Sequence, residues 1–320
     1  MTVFPAYLMS KKIVVALGGN ALIKEGQEGN IHEQFANTRE VSNSLVTMIQ
    51  HGWELAITHG NGPQVGAILL QNNAARSIAP PMPLGICVAE TEGFIGYMIQ
   101  QCLSNELQKA KIKKPVSTII TQVLVDKKDP SMKQPTKPIG PYYTADEKDE
   151  LIKKGYQLIE QPKGWRIVVP SPDPKKIIEE PVINTLLSHG IIVIAVGGGG
   201  MPVIDRENWG LDGVEAVVDK DLASERLAEA IEADVLLILT NVDYVYFNYN
   251  QADQKALSTI RYSDVKQYYQ NDCFPAGSMG PKILAALRFI EAGGKKVIIS
   301  NVDKGWEALQ GTTGTHIVPD

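Results

Sequence analysis

Four apolar runs in this chain stop at glycine or at small polar residues, and no other feature restricts the fold as strongly. The stops read "LGGNA" (17–21), "THGNGPQVG" (58–66), "VGGGGMP" (196–202) and "TNVD" (240–243). They follow the runs "KIVVAL" (12–17), "ELAIT" (54–58), "IIVIAV" (191–196) and "VLLILT" (235–240). Strands that are apolar on both sides belong in a parallel sheet covered on both faces. Ligands of such sheets bind beyond the carboxyl ends of the strands, where these glycines stand. Bare glycine there lets backbone N–H groups approach phosphate or carboxylate oxygens closely.

Helical patterns fill the gaps. Phe35, Val41, Leu45, Met48 and Ile49 fall on one helical face, with Gly52 at its end. Further helices are expected near 63–75, 89–110, 176–189, 221–232 and 281–292, and further strands at "VSTIITQVLV" (116–125), "WRIVVP" (165–170) and "KKVIIS" (295–300). The reading is an α/β fold, an αβα sandwich on a mainly parallel central sheet. Between Asp126 and Trp165 the texture changes: five prolines, many charges and little periodicity. Residues 127–165 are therefore expected as a small protruding subdomain, or arm, on a single domain of residues 12–320. Residues 1–11 are expected as an extension, with Met9 as a second candidate start.

Composition removes several classes. The chain has 320 residues and a formal net charge of −5, so no global basic surface points to nucleic acid. The longest apolar runs fall far short of a membrane span. Three widely spaced cysteines, Cys87, Cys102 and Cys273, show no metal-ligand spacing and no disulfide framework, which suits reduced thiols in the cytoplasm. There is no G-x-x-x-x-G-K-[ST] loop. "GNGPQVG" puts Val65 where a dinucleotide fingerprint needs its third glycine.

Three lysines stand among small residues. Lys137 lies in "QPTKPIGP", Lys220 in "VVDKDLAS" and Lys282 in "GSMGPKILAAL". Pro281 suits a first helical position, which puts Lys282 in the first turn. A cation there opposes the helix dipole unless an anion is bound. Asp219 and Asp221 flank Lys220. Asp221 reads either as a helix cap or as a carboxylate that orients the lysines and holds a metal-associated water. Fixed cations and backbone N–H groups are what phosphoryl transfer requires.

Together "VVALGGNAL", "THGNGPQVGAILLQ", "PTKPIGPYYT", "GWRIVVPSP", "GGGGMPV", "GVEAVVDKDLASERLA", "ILTNVDYV" and "GSMGPK" resemble the carbamate kinase family, of the amino-acid kinase fold. The likeness runs from Lys12 to the C-terminus, and the "PTKPIGP" arm is its most family-specific piece. "IEQPKGWR" (159–166) departs from the more acidic run expected there, and Gly280 stands where the family varies.

The resemblance implies the reaction ATP + carbamate ⇌ ADP + carbamoyl phosphate with Mg²⁺, in a cytoplasmic homodimer. The N-terminal half would hold carbamate, and residues from about 190 to 320 the nucleotide. Gly18, Gly19, Asn20, Gly60, Asn61 and Gly62 would line the phosphoryl and carbamate site. Lys137, Lys220, Asp221 and Lys282 would be catalytic. Gly198, Gly199, Thr240, Asn241, Asp243, Tyr244, Ser278 and Met279 would bind nucleotide. No direct metal ligand is implied: Mg²⁺ would travel on the phosphates, with Asp221 reaching it through water. Two other readings stay open, an amino-acid kinase acting on another carboxylate and a catalytically inactive nucleotide-binding regulator.

Overall fold

A computed structural model describes residues 11–275 and 277–320. The expected extension and the Met9 start therefore fall almost wholly outside the described residues. The chain begins as β1 (Lys11–Leu17), passes through α1 (Ile31–Gln50) and returns as β2 (Trp53–His59). Helices α2 (Gly62–Ala74) and α3 (Leu84–Lys109) lead to β3 (Val116–Thr118) and β4 (Gln122–Val125). Next come β5 (Lys137–Tyr143), α4 (Ala145–Lys153), β6 (Gln157–Gln161) and β7 (Gly164–Val169). They are followed by β8 (Pro174–Ile177), α5 (Glu180–Ser188), β9 (Ile192–Ile194), β10 (Met201–Arg206) and β11 (Gly210–Gly213). The last part carries α6 (Lys220–Ala230), β12 (Val235–Thr240), β13 (Val245–Phe247), β14 (Lys255–Leu257) and β15 (Thr259–Arg261). It closes with α7 (Tyr262–Gln270), α8 (Met279–Glu291), β16 (Lys296–Asn301), α9 (Gly305–Gln310) and β17 (Thr315–Val318).

Eight strands form the central sheet in the order β15-β17-β16-β12-β1-β2-β9-β3. The strands from β16 to β3 are all parallel, and β17 pairs antiparallel with β16. Period-two alternation divides each strand between two cores. Ile13, Val15 and Leu17 face Val41, Leu45 and Met48 of α1 and Ile95, Met98 and Ile99 of α3. Val14 and Ala16 face the opposite core, with Ala223 and Leu227 of α6 and Ile283 and Ala286 of α8. The αβα sandwich thus follows from strands apolar on both sides. Helix starts are set locally: Asn30 and Glu33 form a reciprocal capping box on α1, as do Thr144 and Glu147 on α4.

Three expectations need correction. The run 116–125 is two strands in two sheets: β3 pairs with β9, whereas β4 pairs with β10 and β8. The chain changes sheet where Ile119 still bonds Ile194 and Thr121 already accepts from Met201. The helix expected from 176 starts at Glu180, because Pro174–Ile177 is strand β8. "WRIVVP" is not in the central sheet. It supplies β7 of a three-stranded antiparallel sheet β5-β7-β6, so the small unit runs to Val169, past the boundary expected at 165.

That small sheet docks on α2 backbone to backbone. A Cβ at Gly66 would lie 2.0 Å from the Gly140 Cα and 2.2 Å from its nitrogen. Gly140 has a φ of +71° and follows directly on a pair in register, Ile139 with Ile167. Gly66→Ala should therefore push β5 off α2 at an overpacking cost of about 1–3 kcal/mol. We expect faster limited proteolysis within residues 127–169 and a lowered melting temperature. Unchanged protease resistance and melting would show that the two backbones do not need this closeness.

Candidate active site

Register places the glycine turns side by side. Leu17 of β1 pairs with His59 of β2 and with Leu239 of β12, so the chain leaves these strands at one end of the sheet, through Gly18, Gly60 and Asn241. The two glycines after β1 have different causes. Gly18 N–H donates to the Leu239 carbonyl at 2.8 Å, and a Cβ there would lie 2.7 Å from that oxygen. Its lack of a side chain is demanded by β12. Gly19 lines a cavity of about 190 Å³, and an added Cβ would meet nothing within 4 Å. Gly60, Asn61 and Gly62 line the same cavity, with Gly62 opening α2. Asn20 lies in the 3₁₀ turn Gly19–Ala21.

The run after β9 is a close-packed knot. A Cβ at Gly197 would lie 2.4 Å from His59 Nε2, at Gly198 2.1 Å from Asn61 Nδ2, at Gly199 2.4 Å from the Val218 carbonyl and at Gly200 2.3 Å from Val123 Cγ2. Gly198 to Gly200 also have positive φ, as does Val196 at +55°, a costly conformation for a β-branched residue. This placement differs from the nucleotide role expected of Gly198 and Gly199. Gly198 lines the first cavity, and Gly199 is packed beneath it on Val218. Asn61 is buried and donates to Thr91 Oγ1 at 2.8 Å, which ties the start of α2 to α3. His59 is buried, and burial pushes its imidazole down to about 4, so it is neutral at ordinary pH. Its Nδ1 pairs with the Gly60 carbonyl.

The three lysines converge on two aspartates. Lys137, first residue of β5, pairs with Asp219. Lys220, first residue of α6, pairs with one oxygen of Asp221, and Lys282 Nζ donates to the other at 2.9 Å. Asp221 is 3 % exposed. Burial pushes its carboxyl up, but the two ammonium groups outweigh this and hold it well below the usual range. Burial also lowers Lys220, aided by repulsion from Lys282, whereas Asp221 raises Lys282 against its own burial.

These contacts separate capping from lysine binding. Asp219 is the helix cap, accepting from Asp221 N–H at 2.9 Å, so Asp221 is free to hold lysines. They also correct the view of Lys282. Helix α8 starts at Met279, two residues before Pro281, and the anion at its first turn is the protein's own Asp221.

Lys220 faces the first cavity. Lys282 faces a second, of about 220 Å³, and shares its lining with Thr240, Asn241, Tyr244, Ser278 and Met279. Asp221 thus bridges the walls of two cavities. Asp243 does not join them, because its carboxylate accepts from Lys304 at 2.7 Å. Tyr246, Tyr249 and Phe274 line the second cavity without having been foreseen. Arg166 was also missed, though it lies within the quoted "GWRIVVPSP". It lines the first cavity and donates from Nη2 to the Gly140 carbonyl at 2.7 Å. The first cavity draws on both halves of the chain, since Gly198, Val217, Val218 and Lys220 join the N-terminal loops. Among the described residues no group of three or more His, Cys, Asp and Glu side chains could hold a metal ion.

Comparison with known proteins matches residues 11–301 to the amino acid kinase family. The chain belongs to that family. It is 50 % identical over 313 residues to a carbamate kinase of Thermococcus kodakarensis, covering 96 % of this chain and 99 % of that one. A carbamate kinase of Pyrococcus horikoshii is also 50 % identical, over 315 residues, covering 97 % of this chain and all of the relative. Among solved structures, carbamate kinase from Giardia lamblia bound to AMP-PNP superposes with a TM-score of 0.90 at 41 % identity, covering 98 % and 99 % of the two chains. The eight-stranded sheet is therefore that of an amino acid kinase.

Asp221→Asn should leave two buried ammonium groups without a counter-charge. Breaking a buried pair this way costs about 3–5 kcal/mol. Because the folded carboxyl lies below its ordinary 3.8, its contribution is fully present above that pH and is lost as pH falls through the folded value. The stability gap between the two proteins should be wide at neutral pH and close under acid, as read by denaturant titrations. A gap that is absent at neutral pH would show that the carboxylate holds nothing.

Proposed function

We propose that the protein catalyses reversible phosphoryl transfer between ATP and carbamate, giving ADP and carbamoyl phosphate. The observation that carries this reading is the Lys220–Asp221–Lys282 bridge between the two cavities. A carbamate oxygen attacks the terminal phosphorus of ATP, and the bond from that phosphorus to the bridging oxygen of ADP breaks. Charge in the transition state spreads over the three equatorial oxygens, so catalysis consists of positioning and neutralisation.

The parts match those needs. The second cavity, with its three tyrosines, takes the nucleotide and brings its phosphates to Lys282. The first takes carbamate between Gly19, Asn61 and Lys137. Lys220 stands at the seam, its stem against Gly60, where a Cβ would lie 3.3 Å from the Lys220 Cδ. Asp221 aims Lys220 and Lys282, and Asp219 holds Lys137. With both Asp221 oxygens engaged by lysines, the fitting route for Mg²⁺ is on the nucleotide phosphates, with Asp221 reached through water. There it would neutralise phosphate charge. A cytoplasmic homodimer belongs to the same reading. Its apolar contacts would use faces such as that of Ile86 and Tyr97, both exposed on α3.

The decisive assay couples ATP formation from ADP and carbamoyl phosphate to a fluorescent readout. The protein should make ATP at a rate proportional to its concentration, and failure to do so with carbamoyl phosphate would end the proposal. Lys137→Ala should lower turnover strongly with ADP affinity little changed, since Lys137 lies in the acceptor cavity. A large loss of ADP affinity with turnover preserved would put this lysine on the wrong substrate. Lys282→Met should lower the rate about a hundredfold, roughly 3 kcal/mol of transition-state stabilisation. Because Lys282 is paired with Asp221 before any ligand arrives, the empty variant should also melt lower. Full activity in this variant would place the phosphate site elsewhere.

A further inference from the structure

The first cavity contains three positive side chains, and they are not equivalent. Lys137 has Asp219 and Lys220 has Asp221, so each lysine brings its own counter-charge. Arg166 has none. Burial pulls its guanidinium down from its ordinary value, opposed among the described residues by Tyr142, through its charge and a side-chain hydrogen bond, and by Tyr143. One donor, Nη2, is used on the Gly140 carbonyl, and the guanidinium lies 5.4 Å from the Tyr142 ring centre. Its Nε is buried with no hydrogen-bond partner among the described residues. A partly buried guanidinium without a carboxylate is an uncompensated cost in an empty protein. It is also five donors in a planar fork, the shape that pairs with a planar three-atom anion or a phosphate.

We propose that Arg166 is a substrate-binding residue, whose free donors hold the oxygens of the acceptor anion, the planar CO₂⁻ of carbamate or the carbamoyl end of carbamoyl phosphate. This rests on the function proposed above and names the group that selects its acceptor. The backbone makes the placement definite. Arg166 sits on β7, Gly140 on the neighbouring β5, and Lys137 three residues earlier on β5. Gly140 itself is fixed against Gly66 of α2. One guanidinium edge thus anchors to the strand that carries Lys137, and Arg166 lines the cavity beside it. Charge supports the assignment: three lysines and one arginine stand against two aspartates, which leaves two positive charges for incoming anions.

Two variants separate binding from scaffolding. Arg166→Lys keeps a donor for the Gly140 carbonyl and keeps the charge, but cannot form the fork. Arg166→Met removes both. Steady-state kinetics with carbamoyl phosphate and ADP, and thermal melts with and without inorganic phosphate, are measured for the full chain. The lysine variant should melt like the unaltered protein without phosphate, yet show a KM for carbamoyl phosphate raised on the order of thirtyfold with an unchanged KM for ADP. Inorganic phosphate should raise the melting temperature of the unaltered protein and of neither variant. Arg166→Lys with an ordinary KM for carbamoyl phosphate would overturn the proposal, as would equal losses for both substrates. If phosphate stabilises the variants as well as the unaltered protein, the anion lies on the lysines alone and Arg166 is scaffolding. Should the unaltered protein fail to use carbamoyl phosphate at all, the proposed function falls. The phosphate melts then still decide whether Arg166 binds an anion.

Discussion

One buried carboxylate shared by two ammonium groups is the constraint on which the site depends. Asp221 has no room to solvate, so its charge survives burial only because Lys220 and Lys282 sit on its two oxygens. The lysines come from helices α6 and α8, which are far apart in sequence but packed in the same core through Ala223, Leu227, Ile283 and Ala286. That packing sets the distance between the two cavity walls. The hydrophobic core on one face of the sheet therefore fixes how far Lys220 stands from Lys282.

Where the sheet edge places the ligands follows from register. Because β1 pairs in step with both β2 and β12, the three loops that leave it are level with one another. Ion pairs between side chains from 137, 219, 220, 221 and 282 then need only short reaches. The assembly has an electrostatic character that the overall net charge of −5 conceals. A focused positive site inside an acidic protein can still draw small anions.

Much of this was legible in the sequence, and the reasons are specific. Central strands such as "VLLILT" announce themselves because both faces are buried, and Leu236 and Leu237 belong to different cores. The lysines were legible because prolines, glycines and aspartates surround them. The break in "VSTIITQVLV" was not legible, since the change of sheet at 119–121 uses no glycine or proline, only Thr121 bonding to Glu92 and Met201. Helix capping by Asp219 rather than Asp221 turns on two residues of helix start, a boundary that periodicity does not resolve. Asp243 looked like a ligand by position in "TNVD", but Lys304, 61 residues on, claims it. Arg166 escaped notice because a positive residue on a strand of ordinary texture gives no local sign that its counter-charge is missing.

The glycines of the site divide into two kinds, and the division bears on how such a protein can change over generations. Gly18 and Gly197 to Gly200 are each pressed against a different segment, so a side chain at any one of them collides with fixed atoms. Gly19 and Gly62 border the acceptor cavity with nothing within 4 Å of an added Cβ. Variation at the first kind is closed by the fold itself. At the second kind a single methyl group would narrow the chamber while leaving the surrounding architecture alone. Selection for smaller or differently shaped acceptors therefore has two open doors in this scaffold, and they stand on the two loops that follow β1 and β2.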